Sequence, residues 1–270
     1  MSSVVPRTWD AYAAARSALR TSAVVWFVPV LIGQWAFAYH IAVEYIGTAF
    51  AGDFAAWNKR LYVGFIAGDS VGNAALVAHL FIAFVITIGG TLQLIPQIRT
   101  HAPTFHHWNG RLFVAMAFVT SLAAIYMIWT RDTFGGIVIN DISVSLNGVL
   151  IMVFAATALR YAMARKIDVH RRWALRTFMA VSGVWYLRVI DAFLGAVLGE
   201  IPGVTDDMSG PTNIVLNFAS YLLPLAVLEL YFRAERSQGV SAKFAAAALV
   251  LVAAGATGIG VYGRALKWLA

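Results

Sequence analysis

The chain has 270 residues, of which 60% are hydrophobic and only 12% are charged, and it contains no cysteine. Soluble domains carry about 25% charged residues, so this apolar surplus needs lipid as its solvent. The missing cysteines exclude disulfides, a thiol nucleophile and thiolate metal sites. The net charge of +7 fits an anionic membrane surface better than nucleic acid, because no basic and aromatic nucleic-acid surface is evident.

Seven apolar segments follow one another, each long enough to cross a bilayer as a helix. We therefore predict an all-α fold, a polytopic transmembrane helix bundle forming one integral-membrane domain over residues 1–270. Residues 1–20 alternate arginines with aromatic side chains, which predicts an interfacial helix rather than a removable signal. The predicted spans 1 to 7 are 21–46, 75–98, 110–130, 143–164, 173–197, 212–232 and 244–263.

The loops carry most of the charge and so predict the orientation. Most of the 20 Lys and Arg residues fall on the side of the N-terminus, which predicts N-in, C-out insertion into a bacterial cytoplasmic membrane. Two loops, 47–74 with Trp57 and Tyr62, and 198–211, are long enough to have structure of their own. The acidic residues predicted on the outer side are Asp53, Asp69, Asp132, Asp141, Glu200, Asp206 and Asp207.

A short pattern occurs twice. Residues 108–113 and 173–178 both read W-x-x-R-x-F, with His106 and His107 before the first copy and His170 before the second. Both copies mark the inner start of an outward-running helix. The two copies are therefore candidates for a parallel repeat.

The histidines are candidate haem ligands, because imidazole is the usual axial ligand of haem iron. A membrane b-type haem needs two histidines from different helices at one depth. His106 or His107 with His170 meets this requirement on the inner side, and His40 with His79 meets it on the outer side. The alternative is that these side chains contact water or lipid headgroups beside the neighbouring arginines.

Other ligands would use overlapping residues. A quinone needs a hydrogen-bond donor, a cation and an aromatic wall. The candidates for that site are His170, Arg172, Trp173 and Trp108. A metal site of histidine and carboxylate type is the further alternative. Its candidates are His40, Glu44 and His79.

Charged groups inside a span are costly and need an explanation. Arg188 and Asp191 lie three residues apart in span 5, which is the spacing of a local ion pair on one helix. The alternative is that Arg188 holds an anionic group, such as a propionate, a lipid phosphate or a substrate carboxylate.

Two motifs resemble a family of predicted bacterial membrane proteins of unknown function. They are Pro103-x-x-His106-x-x-x-Gly110-Arg111-Leu-Phe113-Val and His170-Arg171-Arg172-Trp173-x-x-Arg176. Family members typically read Pro-x-x-His-Arg-x-x-Gly-Arg-x-Tyr and then His-Arg-x-Trp-Met-x-Arg. In this chain His107 replaces the usual Arg, and Phe113 the usual Tyr. The resemblance covers residues 75–190. More distantly, the placement of histidines on the helices is similar in layout to that of two-haem cytochrome b proteins.

These observations favour a membrane redox component that binds b-type haem or quinone and passes electrons between a quinol and a membrane partner. The candidate ligands are His79, His106 and His170, with His107 as an alternative inner ligand, and Arg111, Arg172 and Arg188 would hold acidic groups. The first alternative is a transporter or lipid-binding carrier, and the second is an accessory subunit without chemistry of its own. The carrier's cavity would be lined by His79, Gln93, Asn147, Asn217 and Arg188.

Overall fold

The computed structural model describes residues 7–61 and 63–269, with side chains from Asp10 onward; Tyr62 and residues 1–6 of the expected interfacial helix lie outside the described residues. The described chain is helical and contains no strand. Its α-helices are α1 (Arg7–Ile41), α2 (Thr48–Phe50), α3 (Ser70–Leu94), α4 (Pro96–His101), α5 (Pro103–Thr130), α6 (Val138–Met163), α7 (Ile167–Val181), α8 (Gly183–Leu198), α9 (Pro211–Arg236) and α10 (Val240–Trp268).

The helices confirm a polytopic transmembrane bundle. Six of the described segments are long and apolar enough to cross a bilayer. The predicted fifth span is a pair of helices, α7 and α8, bent by 59° at a short break, and it makes a seventh crossing if the pair is counted as one. Their outward faces carry large apolar side chains suited to lipid contact, including Val24, Ile32, Leu122, Val153, Val215 and Val252.

The described part of the expected interfacial segment continues into the first span. Together they form one helix of 35 residues, Arg7–Ile41. No glycine or proline interrupts residues 7–28, so nothing in the sequence ends the helix before the span begins. At 1.5 Å per residue it is about 52 Å long, more than the roughly 30 Å of hydrocarbon.

Consecutive helices run in opposite directions, apart from the broken pair and the short helices. We call the end of the bundle at which α5, α7 and α10 begin the basic end, and the opposite one the far end. Helix α1 runs parallel to α10, with Tyr12 near Lys243 at the basic end and Phe37 against Trp268 at the far end. Gly33 permits their close approach, because a Cβ there would lie 2.5 Å from Val261.

Loops at the far end are held by Arg131, whose side chain is only 3% exposed. Its Nε lies 3.0 Å from Asp69 Oδ2, and its Nη2 donates to Gly64 O at 2.7 Å. In the loop between α8 and α9, hydrogen bonds from Thr205 and then Ser209 hold the pKa of Asp207 below its usual value.

Candidate functional site

Helices α3, α5 and α7 meet at Gly90. A Cβ added to this glycine would lie 2.9 Å from Phe113 Cε2 and 3.3 Å from Phe178 Cδ2. Side chains in close-packed interiors do not approach that closely, so both rings use the space that a side chain at residue 90 would fill. Phe113 and Phe178 are the last residues of the two W-x-x-R-x-F copies. The structure thus brings equivalent positions of the two copies to one point.

The two copies also share a local contact. The guanidinium carbon of Arg111 lies 5.0 Å from the ring centre of Trp108, and that of Arg176 lies 4.5 Å from the ring centre of Trp173. Residues three apart on a helix are neighbours, so each copy forms the same cation–π pair on its own helix.

The meeting point at Gly90 sets the relative depth of the candidate ligands. His106 precedes Phe113 by seven residues, about 10.5 Å along α5, and His170 precedes Phe178 by eight, about 12 Å along α7. Both imidazoles therefore lie at the basic end at closely matched depth. Seven residues are almost two full turns, so His106 and Phe113 share one face of α5.

The environment distinguishes His106 from His107. The His106 side chain is partly buried and its Nδ1 atom is buried without a hydrogen-bond partner in the described chain, whereas His107 is exposed. Arg99, His107 and His170 are basic neighbours of the His106 ring. Because buried polar atoms are nearly always paired, the unpaired Nδ1 atom sets His106 apart from the exposed His107.

His170 is oriented by the neighbouring helix. Its Nδ1 lies 2.9 Å from the carbonyl oxygen of Ala158 on α6. A neutral imidazole that donates from Nδ1 keeps a lone pair on Nε2, which is the usual arrangement of a histidine that ligates a metal.

The rest of the first motif fastens α5 to α3. Asn109 Nδ2 donates to Gly89 O at 2.9 Å, and Gln93 Nε2 donates to His106 O at 2.9 Å. Gly110 lies beside the Gln93 amide. Gln93, which we expected to line the cavity of a carrier, therefore holds the backbone of His106.

The arginines of the second motif fasten α7 to α9. Arg176 forms two contacts with Glu229, at 2.6 and 3.0 Å, and Arg171 lies 3.3 Å from Glu235. Arg172 lies over the ring of Phe232 at 5.9 Å. The sequence contains a signal for a partner of Arg176, because Glu229 is a glutamate inside an apolar span.

The candidate residues nearer the far end, His40 and His79, make different contacts. His79 Nδ1 lies 2.9 Å from Thr120 Oγ1 on α5, whereas the nearest aromatic neighbours of His40 are Phe37, Tyr45 and Trp268. No group of three or more His, Cys, Asp or Glu side chains suited to a metal ion occurs in the described residues. The expected grouping of His40, Glu44 and His79 as a metal site is therefore not formed.

The expected local pair between Arg188 and Asp191 is not formed either. Asp191 instead pairs with Arg264 of α10. The Nη1 atom of Arg188 donates to Val184 O at 3.0 Å, and its guanidinium lies 5.3 Å from the ring centre of Phe37. The i, i+3 spacing gave the wrong partner because α10 presents a second arginine to the same carboxylate. Arg188 makes no ion pair within the described residues.

The two tryptophans expected in a quinone site also lie in different surroundings. Trp108 is 64% exposed and lies under Arg111, whereas Trp173 packs against Phe154 with ring centres 5.5 Å apart.

Polar side chains gather at the break between α7 and α8. Gln34 Nε2 donates to Ser182 Oγ at 3.0 Å, and Asn147 Nδ2 donates to Ala180 O at 3.2 Å. Asn147 Oδ1 is buried without a partner in the described chain. The space next to Gly183 is filled by the Asn147 amide, which would lie 3.0 Å from an added Cβ. Asn147 is recognisable in the sequence as a polar residue inside a span, whereas no glycine–proline pair or charge marks the break at Ser182.

Asparagine side chains of α9, the predicted span 6, and of α6 form a separate network of hydrogen bonds. Asn217 Nδ2 donates to Asn140 Oδ1 at 2.8 Å, and Asn140 Nδ2 donates to Met208 O at 2.9 Å. The amide of Asn217 therefore links α9 to α6.

Comparison with known proteins gives a family but no activity. Neither the curated proteins nor the solved structures compared with this chain contain a match. Residues 76–232, more than half of the chain and including both motifs, match the family described as predicted membrane protein (DUF2306), so the chain belongs to that family of membrane proteins.

Proposed function

We propose that this protein is a membrane electron carrier that holds b-type haem between His106 of α5 and His170 of α7. The observation that supports this best is their matched depth: each histidine precedes, by seven or eight residues, a phenylalanine that packs on Gly90. Two imidazoles from different helices at one depth are what a haem in a helix bundle requires.

The two histidines suit this role in complementary ways. The contact with Ala158 O fixes the ring of His170 and directs Nε2 away from α6. The hydrogen bond from Gln93 holds the His106 backbone. A bound haem would supply a reversible one-electron couple, and the protein would supply orientation and a water-poor setting.

The basic end also offers cations for the acidic groups of such a ligand. Arg111 and Arg172 form cation–π contacts but no ion pair within the described residues. Arg111 and Arg172 would therefore be available to bind the haem propionates. At the far end, Arg188 would be available for the same role. His79, oriented by Thr120, is the candidate ligand for a second haem.

A quinone at the basic end is the closest variant of this proposal. His170, Arg172 and Trp173 lie within four residues of one another at the start of α7 and offer a donor, a cation and an aromatic ring. A quinol or a membrane redox partner would then deliver electrons at the same end. We further propose that the basic end faces the cytoplasm of a bacterial cell, because most Lys and Arg residues lie there.

The absorbance spectrum of the purified protein tests haem binding. We expect a reduced-minus-oxidised difference typical of b-type haem in protein from haem-replete cells. His106→Ala and His170→Ala should each remove from this spectrum the contribution of the haem at the basic end, whereas His107→Ala is the matched control and should retain it. A colourless protein, or an unchanged spectrum in His170→Ala, would refute this assignment.

A second candidate function is a carrier, which the broken span favours. Discontinuous helices near the middle of the membrane are where transporters bind substrates, and the break at Ser182 carries Gln34 and Asn147 beside it. Uptake into proteoliposomes should then fall in Asn147→Leu and be retained in Thr157→Val, whose hydroxyl contacts only its own helix. Equal uptake in both variants argues against a carrier. If the protein copurifies in a larger complex without either activity, it is an accessory subunit.

A further inference from the structure

A pocket of about 310 Å³ opens at the basic end between α1, α9 and α10. Its volume reaches the lower range of known ligand pockets, roughly 300–1,000 Å³. Its lining combines three cationic side chains, two tyrosines, one glutamate and one leucine. These are Arg16, Arg20, Lys243, Tyr12, Tyr231, Glu235 and Leu19.

The two arginines line the pocket and form no ion pair within the described residues. Tyr12, Arg16 and Arg20 are spaced by four residues and form one stripe on α1. Arg16 and Arg20 are exposed. Like charges four residues apart repel each other, so an anion bound between them would relieve this repulsion.

The other charged side chains of the pocket already form hydrogen bonds or ion pairs within the protein. Lys243 is 1% exposed and donates to Ala234 O at 2.8 Å and Glu235 O at 3.2 Å. Arg171, outside the pocket lining, lies 3.3 Å from Glu235 Oε1. The charge available for a ligand is therefore the positive charge of the two arginines.

One acceptor in the pocket lining has no partner. Glu235 Oε2 is buried and accepts no hydrogen bond in the described chain. A bound phosphate alone would leave it unpaired, whereas a headgroup that also carries a hydroxyl would donate to it. The pocket lies where the apolar spans meet the charged turns, which is the depth of lipid headgroups.

We propose that this pocket binds the headgroup of an anionic, glycerol-bearing phospholipid. Its phosphodiester would lie between Arg16 and Arg20, and a headgroup hydroxyl would donate to Glu235 Oε2. The site is independent of haem, because none of its lining residues belongs to the histidine motifs.

The test uses the full-length protein in nanodiscs of phosphatidylcholine with increasing phosphatidylglycerol. Bound lipid is counted by native mass spectrometry, and the thermal unfolding midpoint is followed in parallel. The pocket variant is Arg16→Gln with Arg20→Gln. The matched control is Arg233→Gln with Arg236→Gln, which removes two exposed arginines from the same end.

We expect the pocket variant to bind phosphatidylglycerol about thirtyfold more weakly, in line with two basic residues at a membrane surface. The control should retain wild-type binding, and both should unfold like wild type in phosphatidylcholine alone. Equal losses in the two variants would indicate general surface charge and overturn the proposal. Equal retention of phosphatidylethanolamine, or full displacement of the lipid by inorganic phosphate, would also overturn it.

Discussion

Arg176 of α7 and Glu229 of α9 form a two-contact ion pair within the membrane-spanning part of the chain, with N–O distances of 2.6 and 3.0 Å. The guanidinium also lies 5.3 Å from the ring centre of Phe232. This pair joins the first half of the broken span to the bundle, so it supports the helix that carries His170.

Removing one partner of this pair should be more damaging than removing both. We expect Arg176→Met and Glu229→Met each to cost about 1–3 kcal/mol, because the remaining charge is left without its partner in a partly lipid-covered position. The double variant should lose less stability than either single variant. Thermal unfolding in detergent micelles measures this cycle, and strictly additive losses would contradict the pairing.

Gly90 should not tolerate a side chain. Gly90→Ala places a methyl group against Phe113 and Phe178, and we expect a loss of roughly 1–3 kcal/mol through overpacking. Gly258→Ala is the control, because nothing lies within 4 Å of a Cβ at that position. It should unfold at the wild-type temperature or above, since alanine favours helix. If the two variants unfold alike, the rings do not meet on this glycine.

The partner of Asp191 can be identified by substitution of two arginines. Arg264→Gln removes the observed pair and should lower stability by about 1 kcal/mol, whereas Arg188→Gln should have a smaller effect. Chemical denaturation of each variant in the same micelles compares them. A larger loss of stability in Arg188→Gln would indicate instead that Asp191 pairs with Arg188, as expected from the sequence.

Arg131 should be irreplaceable by lysine. Its guanidinium contacts Asp69, Gly64 and Asn73 at once, and an ammonium group cannot reproduce that planar set of donors. We expect Arg131→Lys to cost roughly 2 kcal/mol or more and to expose the loop before α3 to proteolysis. Lys59→Arg, in the same region, should digest at the wild-type rate.

The sequence by itself determined the transmembrane bundle, because apolar runs of this length are stable only in lipid and must form helices there. It also determined that His106 and His170 lie at one end, since each stands at the start of a helix that runs in the same direction. It predicted neither the single long α1 nor the break at Ser182.

Only the tertiary structure decided which side chains meet. Spans in lipid are apolar on nearly all sides, so the periodicity that marks the inner face of a soluble helix is weak. The pairing of Asp191 with Arg264, of Arg176 with Glu229, and of Phe113 with Phe178 over Gly90 depends on how the helices rotate and pack. Those rotations follow from contacts between residues far apart in the chain, and local spacing does not contain them.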